Sequence, residues 1–429
     1  METRVYSTRL ELPGVRLNVT SEVGKLKSVL VHLPGREIDV MVPPMMTQLL
    51  FDDILYGQVA REEHRRFQQL LRFVAQNVYD IQDLLEEILE DDDVKMEVLR
   101  DLGERNKFGR KLQARLREEP AAGLAEVLIG GIPTEKDGAG ELPSFDLLPV
   151  PNCFFTRDPQ VVVGAGVVVC GMATQARRRE ALLSKYVFQH HPKFRDCKFR
   201  VDFMAGRDRK RTIEGGDVLV ARRDLLIVGL SERTNRDAIT ELARSLRDVD
   251  SGVSTIIAVE LPKQRSFMHL DTVFTFTSRD ECLIYPPVIL PSGRQAAPVT
   301  EIDLTKKEVR FAPRKSLLAA LRRKGIDVDP IYCGGKKAID QQREQWTDGA
   351  NAFTLAPGIV MLYERNVRTA EELAKHGYHI VYEDDLLLGR AELETWTKKK
   401  YAIQIQGHEL SRARGGPRCM TMPLEREDL

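Results

Sequence analysis

The sequence predicts an α/β protein in which hairpin–helix units repeat around a common core and one helix-rich segment is inserted among them. Three observations carry that expectation. An early apolar run stops at Pro-Gly, a long Glu/Arg/Leu-rich stretch then nearly lacks proline, and later stretches repeat one order of two strands, a polar loop and a helix.

Leu26-Lys-Ser-Val-Leu-Val-His-Leu-Pro34 is rich in β-branched and other apolar residues and ends at Pro34-Gly35, so it reads as a buried strand followed by a turn. From about Val59 to Ile129 the one proline is Pro120, and Phe67 to Val78 and Ile81 to Leu89 place apolar residues at helical spacing. This stretch reads as an insertion of four or five helices. After Pro149 the texture changes again. Val161 to Cys170, Asp217 to Val228 and Phe353 to Leu362 each read as a hairpin whose second strand enters an Arg-bearing loop and then a helix. The third unit continues to a strand at His379 to Tyr382. Asp271 to Tyr285 is a weaker fourth copy, and the Leu26 strand fits a fifth. Units that cannot bury a face alone pack around a shared core, and radial packing gathers the loops after the second strands at one end.

Composition narrows the function classes. The 64 Lys plus Arg balance 64 Asp plus Glu among 429 residues, so no overall field draws the chain to nucleic acid or to a membrane surface. The longest apolar run, Val161 to Cys170, holds two glycines and is strand-length, and Met1 to Tyr6 is too polar for a signal peptide. Six dispersed cysteines without a CxxC pair argue against a disulfide framework or a structural zinc site, and for reduced thiols in the cytoplasm.

Four segments set ionisable groups beside glycines or turns: Phe155-Thr-Arg-Asp158-Pro159, Glu214-Gly-Gly-Asp217, His269-Leu-Asp271 and Arg414-Gly-Gly-Pro-Arg-Cys419. Strand alternation in the third points His269 and Asp271 to one face. Singly, these fit a turn cap, solvated turn residues, a core histidine and a small buried thiol. Together they pair a thiol and an acid–base histidine with several carboxylates. That company raises a thiol pKa and suits no ordinary cysteine protease. It suits a substrate that brings its own permanent cation, and a guanidinium matches carboxylates bidentately.

The stretches Ser21 to Gly35, Leu49 to Asp53, Pro151 to Asp158, Glu214 to Asp217, Met268 to Phe274, Arg343 to Trp346 and Gly415 to Thr421 occur in an order that resembles the arginine deiminases, of the guanidino-group-modifying superfamily. The resemblance implies an α/β fold, a five-fold pseudo-symmetric propeller of ββαβ modules with a small inserted all-helical domain. It divides the chain into the first part of a catalytic propeller at 1–58, the helical insertion at 59–129 and the rest of the propeller at 130–429. It implies conversion of L-arginine to citrulline and ammonia through a covalent amidino-thioether, with no cofactor and no metal. Cys419 resembles the nucleophile, His269 the acid and base, Glu214 the carboxylate that orients it, and Asp158 and Asp271 the holders of the guanidinium. Arg177, Arg233 and Arg414 fall where the family binds the substrate carboxylate. Asn152 and Phe155 resemble contacts to the amino end and stem, and Leu50 a backbone contact. At Arg418, where some members carry histidine, a fixed cation is expected to support the thiolate.

The expected setting is a cytoplasmic homo-oligomer acting on a small molecule, with no nucleic-acid or membrane partner. The alternatives are another guanidine-modifying hydrolase, acting on agmatine, a methylated or peptidyl arginine or by a dihydrolase reaction, and a non-catalytic binding protein on the same scaffold.

Overall fold

The computed structural model describes residues 14–134, 144–206, 210–306 and 309–429; the polar hexapeptide Met1 to Tyr6 lies outside them. Five sheets share one internal order. In each, two antiparallel strands are followed by a third that runs parallel to the second. The first joins Met422–Arg426, Leu26–Val31 and Asn77–Asp80; the second Gln160–Val163, Gly166–Val169 and Lys198–Asp202. The third joins Val218–Arg222, Leu225–Leu230 and Thr255–Glu260, and two further strands, Val299–Asp303 and Arg310–Arg314, extend its edge. The fourth joins Phe274–Phe276, Glu281–Ile284 and Asp329–Tyr332; the fifth Phe353–Ala356, Ile359–Tyr363 and Lys400–Ile405.

Middle strands such as Gly166–Val169 and Ile359–Tyr363 are buried along their whole length, which is why they read as unbroken apolar runs. The helices follow where the repeats put them, at Arg178–His190, Arg236–Asp248 and Val367–Lys375. Asn235 caps the second of these through a bond from Ala238 N–H. The strand expected at His379 to Tyr382 forms as Tyr378–Tyr382, but it pairs with Lys400–Ile405 on the sheet's outer side and not with the hairpin.

The stretch read as wholly helical contains helices Gly57–Leu71, Ile81–Leu89, Asp92–Asn106, Arg110–Glu118 and Ala121–Gly130. A strand, Asn77–Asp80, interrupts it, and the apolar spacing from Phe67 to Val78 therefore spans a helix end and a strand. The switch is a competition that tertiary pairing wins. Gln76 N–H bonds Lys27 C=O and Val78 comes to lie beside Val29, so the backbone leaves the helix for the sheet. Asp80 then caps the next helix through Gln82 N–H. That helix shares a core with the second sheet, through Leu84, Leu85, Val162 and Val168. Helix Gly57–Leu71 instead buries Phe67, Leu70 and Leu71 against the first and fifth sheets, in the cluster that also holds Cys419. No described helix is long and apolar enough to cross a membrane.

Candidate active site

In an antiparallel hairpin the start of the first strand and the end of the second lie at the same end of the sheet. Each of the five sheets is entered through a polar turn: Asp158 before Gln160–Val163, Glu214 and Asp217 before Val218–Arg222, His269 and Asp271 before Phe274–Phe276, Asn351 before Phe353–Ala356, and Cys419 before Met422–Arg426. The loops leaving the second strands carry Arg177 and Arg233 to that same end. The predicted residues Leu50, Asn152, Phe155, Asp158, Arg177, Arg233, His269, Arg414 and Cys419 accordingly line one cavity of about 430 Å³, counting its mouth. A larger cleft, about 900 Å³ with its mouth, runs past Lys107, Met172 and Phe203 and is lined by neither cysteine nor histidine. Size does not locate the chemistry here.

His269 and Asp271 share the site without sharing a strand. Leu270–Thr272 is a short 3-10 turn, correcting the alternation argument, because Asp217 accepts Leu270 N–H at 2.9 Å and pulls the backbone out of extension. His269 Nε2 donates to Glu214 Oε2 at 2.8 Å, and its Nδ1 lies 3.7 Å from Asp158 Oδ1. Gly216 explains the glycine pair, since a Cβ there would stand 2.6 Å from His269 Nδ1.

Burial alone would depress the His269 pKa, but Asp158, the Glu214 hydrogen bond and Asp217 outweigh it and push it up to about 9. Burial alone would raise Glu214, yet the His269 hydrogen bond and the nearby charges of Arg233, His269 and Arg177 bring it down to about 2. The pair is an imidazolium–carboxylate at neutral pH. Asp217, which also accepts Ser231 Oγ–H, is pushed up to about 7 by its burial.

Cys419 sits in the turn before the last described strand. Its N–H donates to Asn351 Oδ1 at 3.1 Å, and its Sγ lies 3.8 Å from Asp271 Oδ2. Burial first, then Asp271, Asp158 and Asp348, drive the thiol pKa well above its ordinary value. Arg418, the cation expected to support the thiolate, is engaged by other groups. Its guanidinium is taken up by Asp271 Oδ2 at 2.8 Å, Glu22 Oε2 at 3.1 Å and Val218 C=O at 3.1 Å. Its charge holds Asp271 in place instead.

Arg177 lies at the carboxylate-rich end. Its Nη1 is 2.6 Å from Asp158 Oδ2 and 3.9 Å from Glu214, while Nε and Nη2 bind Glu180. Arg233 Nη1 is 4.0 Å from Glu214 and has no hydrogen-bond acceptor. Arg414 has left-handed backbone, φ 65°, and its buried Nε and Nη1 also lack acceptors. Gly415 follows it because a Cβ there would stand 2.1 Å from the Phe155 ring. Leu50, φ 56°, ends a helix whose Leu49 carbonyl accepts Asn152 Nδ2 at 2.7 Å. Left-handed non-glycine residues are uncommon, and two of them line this cavity.

Asp158, Glu214 and His269 bring ligand atoms within 4.8 Å of one another and could hold a cation. With Arg177 already against two of them, the spacing favours a planar guanidinium over a metal ion. Sequence reasoning missed Asn351 and Glu180. Asn351 had a signal, since it precedes a hairpin as Asp158 and Glu214 do; Glu180, inside a charged helical run, had none.

The family model described as arginine deiminase matches residues 47–129 and 133–426. Curated arginine deiminases of Clostridium perfringens (strain SM101) and Streptococcus agalactiae (strain A909) are 37% and 35% identical to this chain, covering 96% of it and 98% of each of those proteins. That of Bacillus cytotoxicus is 34% identical over 96% of this chain and 99% of its own. Two solved structures share the fold. The amidinotransferase SxtG from Microseira wollei superposes with a TM-score of 0.54 at 12% identity, over 96% of this chain and 98% of its own. The N-terminal domain of ArgZ, a cyanobacterial arginine dihydrolase, does so with 0.50 at 15%, over 93% and 97%.

Proposed function

Because the chain belongs to the arginine deiminase family, we propose a mechanism in which its buried thiol and its imidazolium–carboxylate pair divide the hydrolysis of L-arginine into two steps. The overall reaction is L-arginine plus water to L-citrulline plus ammonia, a step of arginine catabolism. The observation that carries the mechanism is the site's separation of charge. A protonated thiol beside Asp271 and a His269–Glu214 pair stand at one end, and Arg414, with donors that lack acceptors, stands at the other.

The guanidinium docks between Asp158 and Asp271, and its positive charge offsets the field that keeps Cys419 protonated. The thiol loses its proton to solvent as the substrate binds. The thiolate attacks the guanidinium carbon, His269 gives its proton to the departing nitrogen, and ammonia leaves from the tetrahedral adduct. An amidino-thioether on Cys419 remains. Neutral His269 then takes a proton from water, hydroxide adds to the same carbon, and the adduct expels the thiolate and loses its hydroxyl proton, which regenerates the thiol and yields citrulline. Glu214 holds the imidazole through both steps.

Arg177, Arg233 and Arg414 read the substrate carboxylate. Arg177 gives up its Asp158 contact to do so, while Glu180 keeps its other edge. Asn152 and Phe155 meet the amino end and stem, and Leu50 offers backbone. Five sheets of identical internal order support a five-fold α/β propeller, formed by 1–58 and 130–429, with the helical insertion at 59–129 contributing Asn77–Asp80 to the first sheet. Six unpaired thiols support a reducing, cytoplasmic setting, and the balanced charge supports a small-molecule substrate without nucleic-acid partners. The enzyme works as a homo-oligomer without cofactor or metal.

A colorimetric citrulline assay with L-arginine and agmatine side by side, on wild type and Cys419→Ala, tests the reading. Arginine-specific, cysteine-dependent product is expected. Turnover of agmatine at the same rate would point to a different guanidine hydrolase, and product from Cys419→Ala to a different mechanism.

A further inference from the structure

We propose that Trp346 is a positioning residue for substrate recognition: its ring clamps the face of the Arg414 guanidinium so that the N–H edge stays open to the substrate carboxylate. This rests on the reading of Arg414 as a carboxylate binder. Arg414 Cζ lies 3.5 Å from the centroid of the Trp346 ring, close for a cation over an aromatic face. The same guanidinium leaves Nε and Nη1 without acceptors although it is buried. Stacking uses the face of the fork and leaves its edge free. The edge is what binds a carboxylate bidentately.

The platform is held from both sides. Trp346 ends helix Ala338–Trp346, and the preceding Gln345 donates to the carbonyls of Ser266 and Thr272, on either side of the His269 turn. The following Thr347 exchanges hydrogen bonds with Asn366. Glu344 accepts the backbone N–H groups of Arg368 and Thr369. The helix C-terminus beneath the ring also favours a cation. Trp346 itself is 50% exposed, so its contribution to the core is correspondingly small. Arg414 stands on a left-handed backbone between Ala413 and Gly415, with the carboxylates of Asp348 and Asp52 among the charges near it.

Steady-state kinetics on L-arginine with Trp346→Ala, Trp346→Gln, Trp346→Phe, Arg414→Ala and the Trp346→Ala/Arg414→Ala pair decide the matter. The non-aromatic variants are expected to raise KM roughly 3- to 30-fold, with kcat within about twofold of wild type. Trp346→Phe should restore most of the affinity. In the Arg414→Ala background, loss of the ring should add less than about twofold. An unchanged KM in Arg414→Ala would remove the carboxylate reading itself, and this inference with it. A raised KM in Arg414→Ala, together with an unchanged KM in Trp346→Ala and Trp346→Gln, or an equal ring cost in both backgrounds, would overturn the role of Trp346 alone. So would a loss confined to kcat.

Discussion

At the inner end of the cavity each carboxylate is buried and held by backbone or side-chain donors from a turn that opens a sheet, whereas at the mouth the contacts are long side chains, exposed ion pairs and left-handed backbone. Glu214 accepts Ala173 N–H as well as His269, and Asp158 accepts Gly216 N–H. Arg265, which lines the cavity, pairs with Asp52, and Arg412, next in sequence to the lining residue Ala413, pairs with Asp53 and Glu409, all partly exposed. The contrast is sharpest between two arginines four residues apart. Arg418 is 1% exposed and spends its guanidinium on Glu22, Asp271 and Val218, while Arg414 keeps nitrogens without acceptors. On the proposed mechanism one end holds the transition state and the other admits and reads the substrate.

That difference predicts which kinetic constant each substitution moves. Cys419→Ser should lower kcat on the order of 10⁴-fold or more in the citrulline assay, as loss of a nucleophile does; residual activity near wild type would mean that the inner end is not the reaction centre. Glu214→Gln should lower kcat by roughly 10²- to 10³-fold with a smaller change in KM, since the histidine loses its orienting charge. Arg414→Ala should do the reverse, raising KM by roughly 10- to 100-fold while kcat stays within a few-fold, as expected for a lost charge-assisted hydrogen bond. Arg412→Ala, which removes exposed pairs with Asp53 and Glu409, should change KM less than about threefold. A larger effect there would show that the mouth is as tightly coupled to the chemistry as the inner end.

The pH dependence probes the inner end directly. The folded pKa of His269 is raised, to about 9 from 6.5, so the charged pair contributes stability fully below about pH 6.5 and loses it as pH rises through about 9. The alkaline limb of kcat/KM should fall over the same range. Alkylation of ligand-free Cys419, whose pKa is also raised, should stay slow near neutrality and speed up when an unreactive guanidinium analogue is bound. An apparent thiol pKa well below 7 without ligand would contradict the proposed order of events.

The inner end was legible in the sequence because its chemistry needs particular residue types at turns, and turns announce themselves through Gly and Pro. Helix Ile81–Leu89 was legible through its apolar spacing. The third strands of the sheets were not. Lys198–Asp202 alternates charge over five half-exposed residues, Asp329–Tyr332 contains a proline, and Asn77–Asp80 is four residues long. Each is made a strand by the buried strand beside it, a tertiary effect that local propensity does not carry. The partners of Arg177 and Arg418 were equally hidden, because Glu180 and Glu22 sit in unremarkable charged surroundings. The exposed Trp346 became informative only when a guanidinium was found on its ring.

The pairing of Leu26–Val31 with Met422–Arg426 has a consequence for synthesis. At about 5–20 residues per second, roughly 20–80 s separate the emergence of these two strands from a ribosome. The other four sheets, with their carboxylates and the histidine, can be translated and paired in that interval, while the early strand waits with only Asn77–Asp80 beside it. The thiol arrives last, in the turn that leads into the closing strand. A nascent chain can therefore bring together the turns that carry Asp158, Glu214 and His269 before its thiol is in place.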